Sequence, residues 1–133
     1  EGEPALALSE RRLKRSPLRD VAGMIRSFDY ASHEGLLQHV ERGSLPPEDF
    51  SKIEPWARFW THAVGAAFLR AYLQALGTSD LLPSTQDGLQ VLLHAHLLNK
   101  AVYEIGYELN NRPDWLKIPL RGTLQLMEEA SPA

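Results

Sequence analysis

The amino-acid sequence predicts an all-α fold, a bundle of about four main helices in one domain that spans residues 1–133. Apolar residues recur at steps of three and four in three long segments, and proline or glycine marks the ends of these segments. No run of alternating apolar and polar residues is bounded by hairpin turns, which argues against β-strands. A chain of 133 residues can build one compact core and is too short for two.

The first long helix is predicted from about Pro17 to about Arg42. A serine followed by proline is a strong helix start, because the serine can cap free amides and proline gives up only a donor that would be orphaned anyway. Gly43 is the predicted stop, and a bend or break is expected near residues 32–35. Residues 1–15 are charged and mixed, and they predict an extended lead-in.

Proline and glycine also delimit the other predicted helices. The second helix is predicted to start near Pro55 and to cover Trp56 to Leu76. The third is predicted to have Ser84 or Thr85 as its cap and to end just before Asn111, and the last is predicted from Pro119 to about Glu129. Three aromatic residues, Trp56, Phe59 and Trp60, stand at helical spacing beside Pro55. Such residues more often pack in a core than form a carbohydrate platform, so they are predicted as core.

Composition excludes several classes of function. The chain has 14 Lys plus Arg against 17 Asp plus Glu and a net charge of −3, so its charge gives no reason to expect a nucleic-acid partner. It has no cysteine, which excludes disulfides and thiolate metal sites. No apolar run is long enough to span a bilayer and no export signal opens the sequence, so a cytoplasmic protein without a membrane partner is expected.

The third long helix carries two faces of different chemistry. One broad stripe presents a cation, two phenols and two amides: Lys100, Tyr103, Tyr107, Asn110 and Asn111. The opposite side is apolar and is expected to pack: Leu98, Val102, Ile105 and Leu109. The polar mixture suits a sugar, because aromatic faces cover pyranose C–H groups while polar side chains satisfy the hydroxyls. The same residues are also compatible with half-buried tyrosines and a solvated lysine.

Two segments resemble a known family. Residues 16–30 read SPLRDVAGMIRSFDY, and residues 100–115 read KAVYEIGYELNNRPDW, with IPLRG at 118–122. Both are similar to segments of maltokinases, sugar kinases of the aminoglycoside-phosphotransferase-like kind that are free-standing or fused to trehalose synthases. The opening EGEP resembles the residues directly after the metal-binding Asp-Phe pair of that family. Asn99 and Gly106 depart from it, since Glu and Arg are common there.

The resemblance implies an activity for the intact enzyme. Maltokinases transfer the γ-phosphoryl group of ATP to the anomeric hydroxyl of maltose, which gives maltose 1-phosphate for trehalose, α-glucan and glycogen metabolism. This chain would then be part of the carboxy-terminal lobe of a protein-kinase-like fold. ATP and Mg²⁺ are implied for the intact enzyme, and a trehalose synthase domain or subunit is an implied partner.

By the same resemblance, Lys100, Tyr103 and Tyr107 match residues that line the maltose site, and Glu1 and Glu3 would lie near the metal. No catalytic residue is assigned, because the sequence has neither a Gly-rich loop nor a His-Gly-Asp catalytic loop. The chain alone is therefore expected to be inactive, to hold no cofactor, and to self-associate or be marginally stable. The alternative function is a non-catalytic helical interaction or oligomerisation module.

The first matched segment also carries polar residues that are not assigned to the sugar site. Arg26, Asp29 and Tyr30 lie on the first long helix. We interpret them as one helix face that ties the lobe together through polar pairs.

Overall fold

A computed structural model describes residues 7–77 and 79–130, with side chains described up to residue 128. It contains five α-helices: α1 (Leu8–Arg11), α2 (Leu18–Glu41), α3 (Phe50–Leu76), α4 (Gln86–Asn111) and α5 (Lys117–Ala130). Two short 3-10 helices, Pro47–Asp49 and Pro113–Trp115, precede α3 and α5. The described residues contain no β-strand, so the predicted all-α class is confirmed.

Helix α2 is continuous, and the predicted break in its middle is absent. The Ser32 hydroxyl donates to the Asp29 carbonyl of the preceding turn at 2.9 Å, which lets a polar residue stay inside the helix. Gly35 has open space around its Cα, so it does not force a kink. The chain leaves the helix at Gly43, whose φ of 70° is the left-handed conformation that glycine adopts without strain.

Helix α3 begins at Phe50, so the predicted start near Pro55 is wrong by more than one helical turn. Pro55 lies inside the helix at the cost of one backbone hydrogen bond. The 3-10 helix Pro47–Asp49 leads directly into α3, and Lys52 pairs with Asp49 at 2.6 Å across the junction. The first turn therefore forms upstream of the proline.

The starts of the last two long helices follow the sequence pattern more closely. The Thr85 hydroxyl accepts a hydrogen bond from the Gly88 amide at 3.1 Å, so the predicted threonine cap of α4 is confirmed. Helix α5 begins at Lys117, which places Pro119 in its first turn, where proline is tolerated.

Helix α2 is central and packs against both α3 and α4, while α5 packs mainly on α4. The fully or nearly buried apolar side chains are Leu18, Val21, Ala22, Leu36, Ala101 and Ile118. The predicted packing face of α4 is wrong in part, because Val102 is 59 % exposed and Leu109 is also exposed. The α4 stripe that faces α2 instead contains Ala101, Glu104 and Glu108. The two carboxylates can be buried there because arginines pair with them.

The aromatic cluster at the start of α3 is not core, contrary to the sequence prediction. Trp56 is 69 % exposed and Phe59 is 66 % exposed. Helix α3 meets α2 along a different stripe, where Thr61 donates to Ser32 at 2.9 Å and Gly65 is buried against Ile25. Trp56 and Phe59 lie on the other side of α3 from this stripe and therefore point away from α2.

The lead-in is described only from residue 7. Helix α1 is a single exposed turn with no buried residue. Glu1 and Glu3, the metal candidates of the sequence, lie outside the described residues. Within the described part of the chain, α2, α3 and α4 have the length of a membrane span but none of the helices is apolar enough to be one.

Candidate sugar-binding cleft

An open cleft of about 600 Å³ lies between α2, α4 and the Pro113–Trp115 turn. It is lined by Ser27, Tyr30, Lys100, Tyr103, Glu104, Tyr107, Glu108, Arg112 and Trp115. The three maltose residues predicted from sequence, Lys100, Tyr103 and Tyr107, therefore lie together on one wall. Their spacing of three and four residues on α4 places them on one helix face.

The floor of the cleft is a buried ion network between α2 and α4. Arg26 Nε donates to Glu104 Oε2 at 2.9 Å, and Arg26 Nη1 donates to Asp29 Oδ2 at 2.7 Å. Arg26 and Glu104 are almost fully buried, so each charge depends on the other for compensation. The interpretation of Arg26 and Asp29 as polar pairs that tie helices together agrees with this geometry.

A second buried carboxylate closes the other end of the floor. Glu108 is 1 % exposed and accepts three hydrogen bonds, one from the Tyr30 hydroxyl at 3.1 Å and two from Arg112 at 2.9 and 2.7 Å. Fork-like pairing of a guanidinium with a carboxylate fixes both groups in orientation. Tyr30 and Arg112 are thereby held at the rim of the cleft.

Cations and aromatic rings alternate around the wall. The Lys100 ammonium lies 4.9 Å from the Tyr103 ring centre, and the Tyr103 and Tyr107 rings stack at 6.5 Å with an angle of 24° between their planes. The Arg112 guanidinium lies 4.3 Å from the Trp115 ring and 5.6 Å from the Tyr107 ring. These contacts hold the rings in place without covering their outer faces.

The remaining ring of the wall belongs to α2. Tyr30 stacks on Trp115 at 6.3 Å with 25° between the planes, and the Arg26 guanidinium lies 5.8 Å from the centre of the Tyr30 ring. The wall therefore runs from Lys100 to Tyr30, and it joins two helices and the turn after α4.

Few polar groups of the cleft remain free to bind a ligand. The hydroxyls of Tyr103 and Tyr107 have no hydrogen-bond partner among the described residues, and Lys100 Nζ lies 4.0 Å from Glu104, beyond hydrogen-bond distance. The carboxylates and Arg112 are already paired. The free donors of the cleft thus include the three side chains that the sequence predicts for the sugar site, together with the Trp115 indole N–H, which has no hydrogen-bond partner among the described residues.

The charges of the cleft and its floor balance, because three cations stand against three carboxylates. These charged groups are Lys100, Arg112, Arg26, Asp29, Glu104 and Glu108. Burial raises the pKa of Glu104, against the opposing effect of the Arg26 charge. Burial, with the nearby carboxylates, raises the pKa of the Tyr30 phenol, so this group stays a proton donor to Glu108. A neutral ligand suits such a cleft better than an anion.

Two predicted members of the polar stripe do not reach the cleft. The Asn110 and Asn111 amides donate to carbonyls of their own helix, at 2.7 and 2.8 Å. Conversely, the sequence prediction of the cleft omits Glu104 and Glu108. Their spacing of four residues from Lys100 and from Arg112 is the sequence signal that could have found them.

No metal-binding group is found among the described residues. No group of three or more His, Asp or Glu side chains in residues 7–77 and 79–128 is arranged to hold a metal ion. The carboxylates of the cleft are engaged by arginines, which leaves no free pair of oxygen ligands.

No known protein-family model matches the chain. The similarity of residues 16–30 and 100–115 to maltokinases therefore remains a resemblance.

Proposed function

We propose that this chain is the acceptor-sugar side of an ATP-dependent maltose kinase and that its cleft binds maltose. In this proposal the residues that bind the ATP phosphates and the metal, and the catalytic base, belong to sequence that this chain does not contain, because it has no Gly-rich loop and no His-Gly-Asp motif. The chain would hold the acceptor, and it would not catalyse phosphoryl transfer by itself.

One observation carries the proposal: the unpaired donors of the cleft stand beside open aromatic faces in a charge-balanced setting. A pyranose presents C–H surfaces that rings can cover and hydroxyls that need hydrogen bonds. A phosphorylated or acidic ligand would need an excess of free cations, and Arg26 and Arg112 are already bound to carboxylates.

The residues would divide the work. The Tyr103 and Tyr107 rings would cover the sugar while their hydroxyls exchange hydrogen bonds with it. Lys100 would donate to a sugar oxygen through protons that Glu104 does not take. The buried Arg26–Glu104 pair would keep the Lys100 helix in position against α2.

A maltose titration of the ¹⁵N-labelled chain tests the proposal. Amide and indole shifts should change around Tyr103, Tyr107 and Trp115 and saturate with a dissociation constant in the millimolar range, since a few hydrogen bonds and ring contacts supply roughly 3–5 kcal/mol. Tyr107→Ala and Lys100→Ala should each weaken binding several-fold. Val102→Ala, on the exposed side of the same helix, is the control and should bind as wild type. Unchanged spectra at about 50 mM maltose, well above that range, would contradict the proposal.

A second candidate is a helical interaction module, for a trehalose synthase domain or for self-association. The observation that favours it is the exposed pair Trp56 and Phe59, whose rings meet edge to face at 6.4 Å on the outside of α3. Sedimentation of wild type and Trp56→Ser distinguishes the two functions. An interaction module predicts association that the variant loses, with no response to maltose.

A further inference from the structure

A second cavity lies on the other side of α2 from the cleft. It measures about 190 Å³, lies between α2, α3, α4 and α5, and is partly open to solvent. Its walls are mostly apolar, from Ile25, Ala66, Leu69, Leu97 and Leu126. An apolar cavity of about 150 Å³ in a protein can take up benzene, so this volume fits one ring or a short branched chain.

Small residues create the space. Gly65, Ala66 and Gly122 line the cavity and put no bulky side chain into it. At its rim, His62 of α3 and Gln125 of α5 are joined by a hydrogen bond of 2.9 Å. The opening is therefore spanned by a polar contact, and the interior stays apolar.

The polar end of the cavity carries one uncompensated cation. Arg26 and Asp29 both line it and pair with each other at 2.7 Å. Arg58 also lines it, and its guanidinium has no ion-pair or hydrogen-bond partner among the described residues. Arg58 is thus the lining cation without a partner among the described residues.

An adjoining polar pocket of about 150 Å³ shares Asp29 and Arg58 with the cavity. His33 Nε2 lies in it, buried and without a hydrogen bond in the described residues, and Glu54 Oε1 is 3.9 Å away. Of the acids there, Glu54 pairs with Arg121, while Glu128 lies at the exposed outer edge and does not line the cavity itself. A ligand head group at this end would meet the unpaired Arg58 cation.

We propose that this cavity binds a small aromatic or branched aliphatic carboxylate. The apolar part would fill the space between Ala66 and Leu97, and the carboxylate would pair with Arg58. Charge complementarity selects the anion, and the size of the cavity limits the ligand to about one ring. The site is separate from the sugar cleft and does not depend on the proposed kinase function.

Three probes of similar shape test the site: benzoate, benzyl alcohol and benzylamine, each titrated into the ¹⁵N-labelled chain. Benzoate should bind about fivefold more tightly than benzyl alcohol, because an ion pair with an exposed arginine adds up to about 1 kcal/mol, and benzylamine should bind least. Shifts should cluster at Gly65, Ala66 and Gln125.

Two variants locate the ligand. Ala66→Leu should abolish benzoate binding by filling the cavity, and Arg58→Gln should remove the preference for benzoate over benzyl alcohol. Arg58 is exposed, so the second variant should fold as wild type. Arg70→Gln, an exposed arginine on α3 outside the cavity, is the matched control. The proposal is overturned if benzoate binds no better than benzyl alcohol, if it shifts Tyr107 and Trp115 instead, or if no probe binds at about 20 mM, well above the millimolar range expected of such small ligands.

Discussion

The candidate sugar-binding cleft on α4 and the outer face of α3 both display aromatic residues, but their surroundings differ. In the cleft, Tyr103 and Tyr107 touch each other and a cation, and they stand over buried carboxylates that arginines hold. On α3, Trp56 and Phe59 touch each other and are otherwise largely open. Aromatic residues at helical spacing therefore do not by themselves mark a binding site or a core. The cleft rings differ from the α3 rings in the polar groups that hold them in place and lie beside them.

The largest expected effect comes from removing the cation under the cleft. Arg26→Met leaves Glu104 buried without its arginine and takes one of its partners from Asp29, so the free energy of unfolding should fall by about 3–5 kcal/mol. Urea denaturation followed by circular dichroism measures this. Arg70→Met, at an exposed position of α3, should change it by less than about 0.5 kcal/mol.

A double variant tests whether the unpaired carboxylate causes that loss of stability. Arg26→Met with Glu104→Leu removes both charges, and it should recover much of the lost stability. If the free energy of unfolding of the single variant Arg26→Met lay within about 1 kcal/mol of wild type, the network would not hold α2 to α4.

A methyl group at Gly122 should have the next largest effect. A Cβ there would lie 2.8 Å from Arg26 Cζ, and the guanidinium cannot move away without leaving Glu104 or Asp29. Gly122→Ala should therefore destabilise the chain by about 1–3 kcal/mol, as overpacking does. The loss should shrink in an Arg26→Met background, because the two sites are coupled.

Gly106→Ala is the matched control for that substitution. A Cβ added at Gly106 would meet no neighbouring atom within 4 Å, and alanine is the better helix former, so the same change should raise stability by about 0.5–1 kcal/mol. Equal losses at Gly106 and Gly122 would show that the Arg26 contact is not the cause.

The network also predicts a pH dependence. Burial raises the pKa of Asp29, but the His33 hydrogen bond and the Arg26 charge outweigh it and hold the pKa below 3.8. A carboxyl with a lowered folded-state pKa stabilises the fold at higher pH, fully above about pH 5, and loses this contribution as the pH falls through 3.8 and below. Asp29→Asn should be less stable at pH 7 and should lose less stability than wild type between about pH 5 and 3.

Glu104 acts in the opposite direction. Its raised pKa means that the folded state holds the Glu104 proton more tightly than the unfolded state does. The stabilisation from this proton is present at low pH and is lost as the pH rises through the folded-state pKa. Glu104→Gln should therefore steepen the acid-side loss of stability. If the free energy of unfolding falls equally in Asp29→Asn and wild type as the pH is lowered, Asp29 is not the source of the acid-side loss of stability.

The smallest effect is expected on the outer face of α3. Trp56→Ser should change the free energy of unfolding by less than about 0.5 kcal/mol, because the indole is largely exposed. Phe68→Ser is the comparison on the same helix, since Phe68 packs edge to face on Phe28 at 5.7 Å. It should cost about 3 kcal/mol or more by denaturant titration, as loss of packed aromatics does.

Sequence patterns predict the helices better than their orientation. Proline, glycine and capping residues locate the ends of α2 and α4 because these act locally. They misplace the start of α3, where a 3-10 turn carries the helix past Pro55. Which face of α4 packs is not predictable from apolar spacing, since arginines allow Glu104 and Glu108 to be buried while Val102 stays exposed.

Only part of the candidate cleft is predictable from the sequence. Lys100, Tyr103 and Tyr107 share a helix face, so spacing alone groups them. Tyr30 is 78 residues away from Glu108 in sequence, and their hydrogen bond depends on how α2 crosses α4. Long-range contacts of this kind leave no periodic signal in a single sequence.

The aromatic rings of the cleft, and not those of α3, are the ones proposed to cover a sugar. Intermolecular nuclear Overhauser effects between maltose and the chain test this directly. We predict contacts from pyranose C–H protons to the rings of Tyr103, Tyr107 and Trp115, with none to Trp56 or to Phe59. Contacts confined to Trp56 and Phe59, or no contacts at a maltose concentration several times the measured dissociation constant, would contradict the proposed sugar site.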